Sequence, residues 1–421
     1  MNPPPADADF AAIRQLVESD AGGGHSARFG GCRVTSHFQP IVSYSYGRVV
    51  AHEGLMRARD AFDAPVAPPD LLAAAERGGA LLAADRMACC VHVANYAAMG
   101  CHDGWLFLNL HPRAFAGAGS ATTPDFLAAL LAEHGLPPNR LVIEILEDAV
   151  ADDARLEDAV AALRAGGWGI ALDDFGAGHS NFDRIWRIRP DIVKLDRSYA
   201  VRAAGDPSAR RMLPSIVSLL HETGSLVLLE GIETAEQAMI AMDADVDFAQ
   251  GYFFARPGPA VDIADYSAKT ILDGLWPAFE ERRDVQRNIY RDLTAPYLNA
   301  LGYASTLLAA GRSLEEAAAG FIALERSERV FLLDAEGFQV GANFVSPRFP
   351  AVPALAAFQD TSQACWSRRA YFRRAVEHPG KVQITRPYRS IATPTQCVTV
   401  SVSFLRGGKL CVLCGDVFWA D

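Results

Sequence analysis

Between residues 36 and 254 the chain alternates short apolar runs with longer Ala- and Leu-rich segments of helical period. The apolar runs read SHFQPIV, RVVAHEGL, WLFLNLH, RLVIEIL, WGIALDDF, DIVKLD, SLVLLEGI and DFAQGYFF. Strands that are apolar on both faces and alternate with helices indicate a parallel sheet covered by helices. Eight such strands predict an α/β fold, a TIM-like (β/α)8 barrel, and an open doubly wound sheet is the alternative.

The first two runs are separated only by the segment SYSYG. A parallel crossover needs about a dozen residues or more, so we expect these two strands to be antiparallel. One barrel strand is therefore predicted to run against the others.

The 421 residues exceed the usual size of one hydrophobic core, which favours two domains. The pattern predicts an N-terminal tail and linker over residues 1–32, the barrel over 33–262, a helical connector over 263–320 and a smaller α+β domain over 321–421. In the last part, period-two runs with EG and GG turns predict an antiparallel sheet with flanking helices.

Charge and composition narrow the classes of partner. The net charge of -11 argues against duplex nucleic acid or an anionic membrane as the main partner. The eight cysteines lack the regular spacing of a disulfide framework, which favours a reducing compartment. The N-terminus has no basic patch followed by an apolar core, and no apolar run reaches about 18 residues. We therefore expect a cytoplasmic protein without a membrane span.

Polar side chains mark the ends of seven successive predicted strands. In a parallel barrel the carboxyl ends of the strands form one rim, where the chemistry of such barrels takes place. A single acid at a strand end is commonly a helix cap or a solvated loop residue, but seven polar ends at one rim predict a shared site. These residues are Glu53, Asn109, Glu144, Asp173 with Asp174, Lys194, Glu230 and Gln250.

Several carboxylates at one mouth repel each other and need compensating positive charge. Carboxylate and amide oxygens suit Mg²⁺ or Mn²⁺, and no His/Cys cluster indicates zinc. The adjacent Asp173 and Asp174 allow one carboxylate to bridge two metal ions. Two metal ions held in this way stabilise the attacking and leaving oxygens of a phosphoryl displacement. The residues therefore predict phosphodiester hydrolysis.

The rim residues lie in motifs that resemble those of EAL-domain cyclic di-GMP phosphodiesterases. The motifs occur in family order across most of residues 35–258: FQPIV (38–42), EGLMR (53–57), LNLHP (108–112), VIEILE (142–147), LDDFGAGHSN (172–181), VKLD (193–196), LLEGIET (228–234) and AQGYFFARP (249–257). The resemblance implies hydrolysis of cyclic di-GMP to linear pGpG with two divalent ions per site, and a homodimer.

The resemblance also implies which residues hold the two ions. The ligands of the first ion would be Glu53, Asn109, Glu144 and Asp173. The second ion would be held by Asp173 and Asp174, with Glu230 in the ion shell and Gln250 holding a water on the metal.

Other residues would act on the water, the ligand and the neighbouring loop. Lys194 resembles the lysine that positions and polarises the nucleophilic water. Gln39 and Arg57 would contact the ligand, and the guanidinium of Arg57 suits bidentate phosphate recognition. Glu233 would brace the loop that follows Asp173 and Asp174, and Glu147 would support the site from behind the ligands.

The sequence departs from the family pattern at four positions. Gly54 replaces the alanine of the Glu-Ala-Leu signature, and the loss of a methyl group is expected to loosen the strand end. Leu146 stands where a threonine is usual, so a supporting hydroxyl is expected to be missing. Ala177 and His179 stand where Thr or Ser and Tyr are common. None of these changes removes a metal ligand.

Other functions fit less well. The Asp-Phe-Gly at residues 174–176 lacks the Gly-rich loop, the strand lysine and the HRD-type loop of a kinase. No GGDEF-like sequence indicates synthesis of the messenger. The remaining alternative is an EAL-type receptor that binds cyclic di-GMP without cutting it and signals through a partner. Such receptors typically lose metal or lysine residues that this chain retains.

The last hundred residues resemble PAS/Cache-type sensor modules, in WSRRAYFRRAV (366–376), RPYRSIATPTQCVTVS (386–401) and CGDVFW (414–419). The resemblance implies that this domain regulates the barrel and holds a small molecule. The alternative, which the residue types favour, is that the aromatic residues form core and the arginines are solvated. The candidate ligand residues are Trp366, Arg369, Tyr371, Tyr388 and Asp416.

Overall fold

A computed structural model describes residues 10–20, 23–100, 103–111, 123–146, 153–178, 182–348, 361, 364–390 and 396–419. The chain divides into two compact units, Met1–Glu280 and Glu281–Asp421.

In the described part of the first unit, eight strands close into a barrel. The strands of this unit are β1 (Val17–Ser19), β2 (His25–Phe29), β3 (Cys32–Ser43), β4 (Arg48–Arg59), β5 (Pro65–Val66), β6 (Trp105–Asn109), β7 (Leu141–Leu146), β8 (Gly169–Phe175), β9 (Ile192–Leu195), β10 (Leu226–Leu229), β11 (Phe248–Ala249) and β12 (Gly258–Pro259). The barrel follows the order β3, β4, β6, β7, β8, β9, β10, β11 and returns to β3. β3 is antiparallel to both β4 and β11, whereas the other barrel pairs are parallel. The predicted barrel with one reversed strand is confirmed.

The segment before the barrel differs from the predicted tail and linker. A short helix, α1 (Phe10–Arg14), buries Ile13 completely in the core of this unit. β1 pairs with β2, and β2 pairs with β3, so the segment extends the barrel sheet. Gly30 and Gly31, both at positive φ, form the two-residue turn between β2 and β3. The predicted linker therefore contains a β-hairpin.

Eight apolar side chains, one from each barrel strand, fill the barrel interior in a single buried layer. Every second side chain of a barrel strand points inward, and these strands carry apolar residues at the inward positions. The layer, called here the barrel floor, consists of Ile41, Ala51, Phe107, Val142, Ala171, Ile192, Leu228 and Phe248. It closes the barrel beneath the carboxyl ends of the strands.

Helices cover the outside of the barrel and pack on it through a second, larger apolar core. They are α2 (Pro68–Arg77), α3 (Leu81–Ala98), α4 (Thr123–Glu133), α5 (Asp153–Ala165), α6 (Phe182–Ile188), α7 (Arg197–Gly205), α8 (Pro207–Glu222), α9 (Ala235–Asp243) and α10 (Ala260–Ile263). Helices α2 and α3 follow each other along the chain. Gly78 and Gly79 separate them, and Gly79 has a φ of +69° that favours glycine.

The boundary between the units falls within a helix of 41 residues, α11 (Lys269–Ala309). The second unit also contains α12 (Leu314–Ile322), α13 (Ala370–Glu377), β13 (Ser327–Leu333), β14 (Gln339–Val345), β15 (Gln383–Ile384), β16 (Tyr388–Arg389), β17 (Gln396–Arg406) and β18 (Lys409–Phe418). Its strands form one antiparallel sheet in the order β14, β13, β18, β17, β15, with β16 also on β17. This is the predicted sheet with flanking helices.

None of the described helices combines the length and the apolar character that a membrane crossing requires.

Candidate active site

The predicted rim residues other than Asp174, together with Gln39, form the next inward layer above the barrel floor. Each lies two positions from a floor residue, and side chains two positions apart in a strand point to the same face. In the reversed strand β3 the polar residue precedes the floor residue, and in the other strands it follows. The layer consists of Gln39, Glu53, Asn109, Glu144, Asp173, Lys194, Glu230 and Gln250. Strand periodicity therefore brings the predicted residues to one mouth.

Lys194 lies in the middle of this layer, with only 1% of its side chain exposed. Its Nζ is 2.5 Å from Glu144 Oε1, 2.9 Å from Asp173 Oδ1 and 2.8 Å from Glu230 Oε1. Glu53 Oε1 is 3.8 Å away. One ammonium group therefore faces four carboxylates, which leaves an excess of negative charge in a buried site.

The excess of negative charge shifts the pKa values of the cluster. Burial opposes the charge of Lys194, but the surrounding carboxylates outweigh burial and hold the pKa of Lys194 well above its ordinary value. Burial and repulsion from Glu53 raise the pKa of Glu144. Burial raises the pKa of Glu230 to about 8. Without added cations the site therefore retains protons at neutral pH.

A β-bulge allows the adjacent carboxylates of Asp173 and Asp174 to lie at the same opening of the barrel rim. The pairing of β8 with β9 shifts register between Leu172 and Phe175, and Asp174 has a left-handed backbone with φ of 57°. Adjacent side chains of a regular strand point to opposite faces, and a bulge removes this restriction. Carboxylate oxygens of Asp173, Asp174 and Glu230 lie within 4.8 Å of one another. Burial, with repulsion from Asp173, raises the pKa of Asp174.

Two glycines allow the chain to pass close to this mouth. Gly176 has a φ of +97°, and a Cβ there would lie 2.2 Å from Tyr199 Cε2. A Cβ at Gly251 would lie 2.1 Å from the carbonyl oxygen of Ile232. Both contacts are shorter than any side chain tolerates, so the turns after β8 and β11 require glycine.

Amide side chains orient the carboxylate of Glu53. Gln250 Nε2 donates to Glu53 Oε2 at 2.7 Å, and Asn109 Nδ2 donates to Glu53 Oε1 at 3.1 Å. Gln250 Nε2 also lies 3.3 Å from Gln39 Oε1, and Gln39 Nε2 donates to the carbonyl of Ala255 at 3.1 Å. These bonds fix the amide groups in the layer.

The donor set of this layer fits hard divalent cations. Glu144 Oε2 and Gln250 Oε1 are buried without a hydrogen-bond partner, and a cation would satisfy both. Carboxylate and amide oxygens are the ligands that Mg²⁺ and Mn²⁺ prefer. The cluster also lacks the positive charge that four carboxylates require.

Two cavities open at the rim. The acidic cavity, of about 350 Å³, is lined by Asp174 and by residues of the layer that include Asp173 and Glu230. The side cavity, of about 530 Å³, is lined by residues that include Arg57 and Asn109. Leu55 lines both cavities, so the two adjoin at this residue.

The remaining predicted residues divide between the two cavities. Gln39 and Glu233 line the acidic cavity. Arg57 lies in the side cavity, where its Nη1 donates to the carbonyl of Met56 at 2.9 Å. Leu146 supplies an apolar wall of the side cavity in place of the expected hydroxyl. Glu147 and His179 lie outside the described residues.

Helix α3 contributes residues that the strand-end argument missed. Gly54 leaves no gap, in contrast to the expected loosening, because the ring of His92 fills the space beside it. Asp85 accepts a hydrogen bond from the backbone N–H of His111 at 2.9 Å, and burial raises its pKa to about 7. Asp85 and His92 both line the side cavity. Neither follows a strand, and the glycine at position 54 was the available signal for a large neighbour.

In the second unit, Asp416 belongs to a buried polar network. Arg329 Nε and Nη2 each lie 2.7 Å from Asp416 Oδ2, and Thr399 Oγ1 donates to Asp416 Oδ1 at 2.7 Å. The Tyr388 hydroxyl lies 2.6 Å from Thr399 Oγ1. Asp416 is therefore neutralised within the protein by Arg329, which the sequence argument did not single out.

The other candidate residues of this unit are close to the same network. Tyr371 is buried in an apolar cluster, and Trp366 and Tyr388 pack against it. Arg369 is the residue before helix α13. These contacts agree with the alternative that the aromatic residues form core, and a ligand site here stays a prediction.

The family model of the EAL domain matches residues 26–257. An uncharacterized protein from Azorhizobium caulinodans is 31% identical over 249 residues, which cover 56% of this chain and 32% of that protein. The cyclic di-GMP phosphodiesterase RocR from Pseudomonas aeruginosa is 36% identical over 163 residues, which cover 38% of this chain and 41% of RocR. The matches thus span less than half the length of these relatives.

Two solved structures share the fold. The Bacillus subtilis YkuI protein, with an EAL domain and in complex with substrate c-di-GMP and calcium, has a TM-score of 0.75 at 21% identity, covering 92% of this chain and 97% of that chain. The PaMucR phosphodiesterase, in a c-di-GMP complex, has a TM-score of 0.50 at 27% identity, covering 55% of this chain and 94% of that chain. At its level of identity the first comparison shows the fold alone.

Proposed function

This chain belongs to the EAL domain family, and we propose that its barrel hydrolyses cyclic di-GMP to linear pGpG. The observation that carries the proposal is the complete polar layer at the rim, in which Lys194 faces four carboxylates in one buried mouth. The similarity to RocR supports the same reaction.

The substrate would occupy both cavities. Cyclic di-GMP consists of two nucleotide halves joined by two phosphodiesters, and the acidic and side cavities provide two compartments that adjoin at Leu55. Arg57, in the side cavity, offers the planar guanidinium that suits a phosphate. The other phosphodiester would then lie over the carboxylates of the acidic cavity.

Two ions, Mg²⁺ or Mn²⁺, would be held by the rim layer. The first ligand set would be Glu53, Asn109, Glu144 and Asp173. The second ligand set would be Asp173, Asp174 and Glu230, whose oxygens lie within 4.8 Å of one another, with Gln250 nearby. Bound there, the ions would supply positive charge to the phosphate and make water more acidic.

Lys194 would orient the attacking water rather than remove its proton. The Nζ of Lys194 lies between the carboxylates of Glu144, Asp173 and Glu230, and an ammonium group only donates hydrogen bonds. It can therefore position water and stabilise negative charge on the phosphate. Water adds to phosphorus in line, the P–O3′ bond breaks, and the 3′ oxygen takes up a proton.

The second unit is proposed to regulate the barrel, and the chain to act as a cytoplasmic homodimer. Regulation and dimerisation follow from the family resemblances, and the cytoplasmic location follows from the cysteine pattern. The regulatory part is tested by comparing the full chain with a chain that ends at Glu280. This end point retains Leu272, Leu275 and Phe279, which belong to the core of the barrel unit.

The proposed reaction is tested by incubating purified protein with cyclic di-GMP and Mg²⁺ or Mn²⁺, and separating the products by chromatography. We expect linear pGpG from the wild type and from Glu222→Gln, a control at an exposed position on α8. Glu53→Gln should lose turnover, because it removes a charged ligand. Binding of cyclic di-GMP without cleavage in both metals would favour the receptor alternative and refute hydrolysis.

A further inference from the structure

We propose that His92 is a ligand-contacting residue of the side cavity, where its Nε2–H donates a hydrogen bond to an acceptor atom of the bound nucleotide, and that Gly54 makes room for its ring. The inference rests on the proposed function, because it names a contact to the same substrate. It concerns a helix residue that no strand-end motif contains.

The space beside Gly54 explains why the chain has a glycine there. Gly54 lies inside β4 without a positive φ, so its backbone does not require glycine. A Cβ at this position would lie 3.2 Å from His92 Cγ, 3.4 Å from His92 Cβ and 3.2 Å from Leu108 Cδ2. The two distances of 3.2 Å are tighter than ordinary van der Waals contact, so the imidazole and Leu108 together occupy the room that a methyl group would need.

The hydrogen bonds behind the ring assign its tautomer. His92 Nδ1 lies 2.8 Å from Ser36 Oγ, and the amide Nδ2 of Asn95 lies 3.4 Å from the same oxygen. Asn95 Nδ2 can only donate, and among the described residues the Ser36 hydroxyl has no acceptor other than His92 Nδ1. A buried hydroxyl without an acceptor is costly, so Ser36 donates to Nδ1. The hydrogen of the imidazole is therefore on Nε2.

The Nε2 atom has no hydrogen-bond partner in the described part of the chain, and the ring lines the side cavity. Arg57 and Asn109 line the same cavity. Burial, followed by the charge of Arg57, lowers the pKa of His92 to about 4, so the ring is a neutral donor at physiological pH. A neutral donor beside a guanidinium suits a nucleotide, whose phosphate, ribose and base all present oxygen acceptors.

Two amide variants of His92 separate the contributions of the two ring nitrogens. The amide of glutamine reaches the position of Nε2, and the amide of asparagine reaches the position of Nδ1. His92→Asn should therefore raise the KM for cyclic di-GMP about three- to tenfold, the equivalent of one neutral hydrogen bond, with kcat within twofold of the wild type. His92→Gln should keep KM within twofold. Equal KM values in both variants would overturn the proposal.

A double variant tests whether His92 only fills space. In Gly54→Ala with His92→Ala, the new methyl group occupies room that the ring has left. We expect this variant to melt closer to the wild type than His92→Ala alone, while its KM stays raised. Recovery of the wild-type KM would show a space-filling residue and overturn the proposal. A wild type that neither binds nor cleaves cyclic di-GMP would instead refute the proposed function, and this contact with it.

Discussion

Replacement of Lys194 by methionine removes the positive charge from the centre of the rim layer while keeping an unbranched side chain of similar length. In the wild type, the ammonium lies 2.5 Å from Glu144, 2.8 Å from Glu230 and 2.9 Å from Asp173. Methionine leaves these carboxylates buried without a partner. We expect the barrel of Lys194→Met to depend on added cations for its stability.

The magnitude follows from the burial of the cluster. Loss of one partner from a buried ion pair costs about 3–5 kcal/mol. Protonation of the carboxylates reduces this cost, because the folded state raises the pKa of Glu230 from 4.5 to about 8. Stability from a carboxylate with a raised pKa is present below its unfolded value and is lost as pH rises through its folded value. The loss in Lys194→Met should therefore be small near pH 5 and reach about 3–5 kcal/mol near pH 9.

Hydrogen exchange followed by mass spectrometry measures the effect in the barrel strands themselves. In chelator at pH 9, protection of β7 to β10 should fall roughly 10²- to 5 × 10³-fold relative to the wild type. Mg²⁺ should restore protection without restoring turnover. The control is Lys269→Met, whose ammonium lies 2.9 Å from Asp273 with 72% of the side chain exposed, and which should change protection by less than about threefold.

Equal protection of Lys194→Met and wild type in chelator at pH 9 would refute this reasoning. It would mean that the carboxylates near Lys194 Nζ are accessible to solvent, so that loss of the ammonium group leaves no buried, unpaired charge. A loss of protection that was the same at pH 5 and pH 9 would contradict the electrostatic cause and indicate lost packing.

Three further predictions concern the metal ligands and the second unit. Asp174→Asn should keep the fold, as measured by circular dichroism, because asparagine tolerates a left-handed backbone. The same variant should lower kcat at least about 10²-fold. Retained turnover would exclude Asp174 as a metal ligand. Metal binding should tighten from about pH 6 to 9 and release protons, because the pKa values of Glu144 and Glu230 are raised. Calorimetry in two buffers of different ionisation enthalpy should therefore give different heats of metal binding. Arg329→Met should destabilise the second unit by about 3–5 kcal/mol, because it leaves Asp416 unpaired. Addition of Asp416→Leu should recover much of this loss. Hydrogen exchange in β17 and β18 measures both effects.

The barrel and its rim were predictable because both follow from local periodicity. Each apolar run determines one strand, and alternation along that strand places Glu144 two positions from Val142 on the same inward face. The short SYSYG link made the reversed strand predictable, since no helix fits into it. The N-terminal hairpin was missed because glycine and alanine in AGGGHSARFGG indicate flexibility until a partner strand is present.

Contacts between distant elements could not be predicted from the sequence. Lys194, Glu144 and Glu230 belong to three different strand ends, and they meet only because the barrel closes. The pair of Arg329 and Asp416 joins residues 87 positions apart.

The alternation of polar and apolar residues along each strand, and with it the chemistry at the rim, can be read from the amino-acid order alone. That His92 fills the space beside Gly54, and that a bulge directs Asp173 and Asp174 to the same opening, is visible only in the folded chain. Periodicity depends on neighbours along the chain, whereas space and electrostatic balance depend on which faces of separate elements meet.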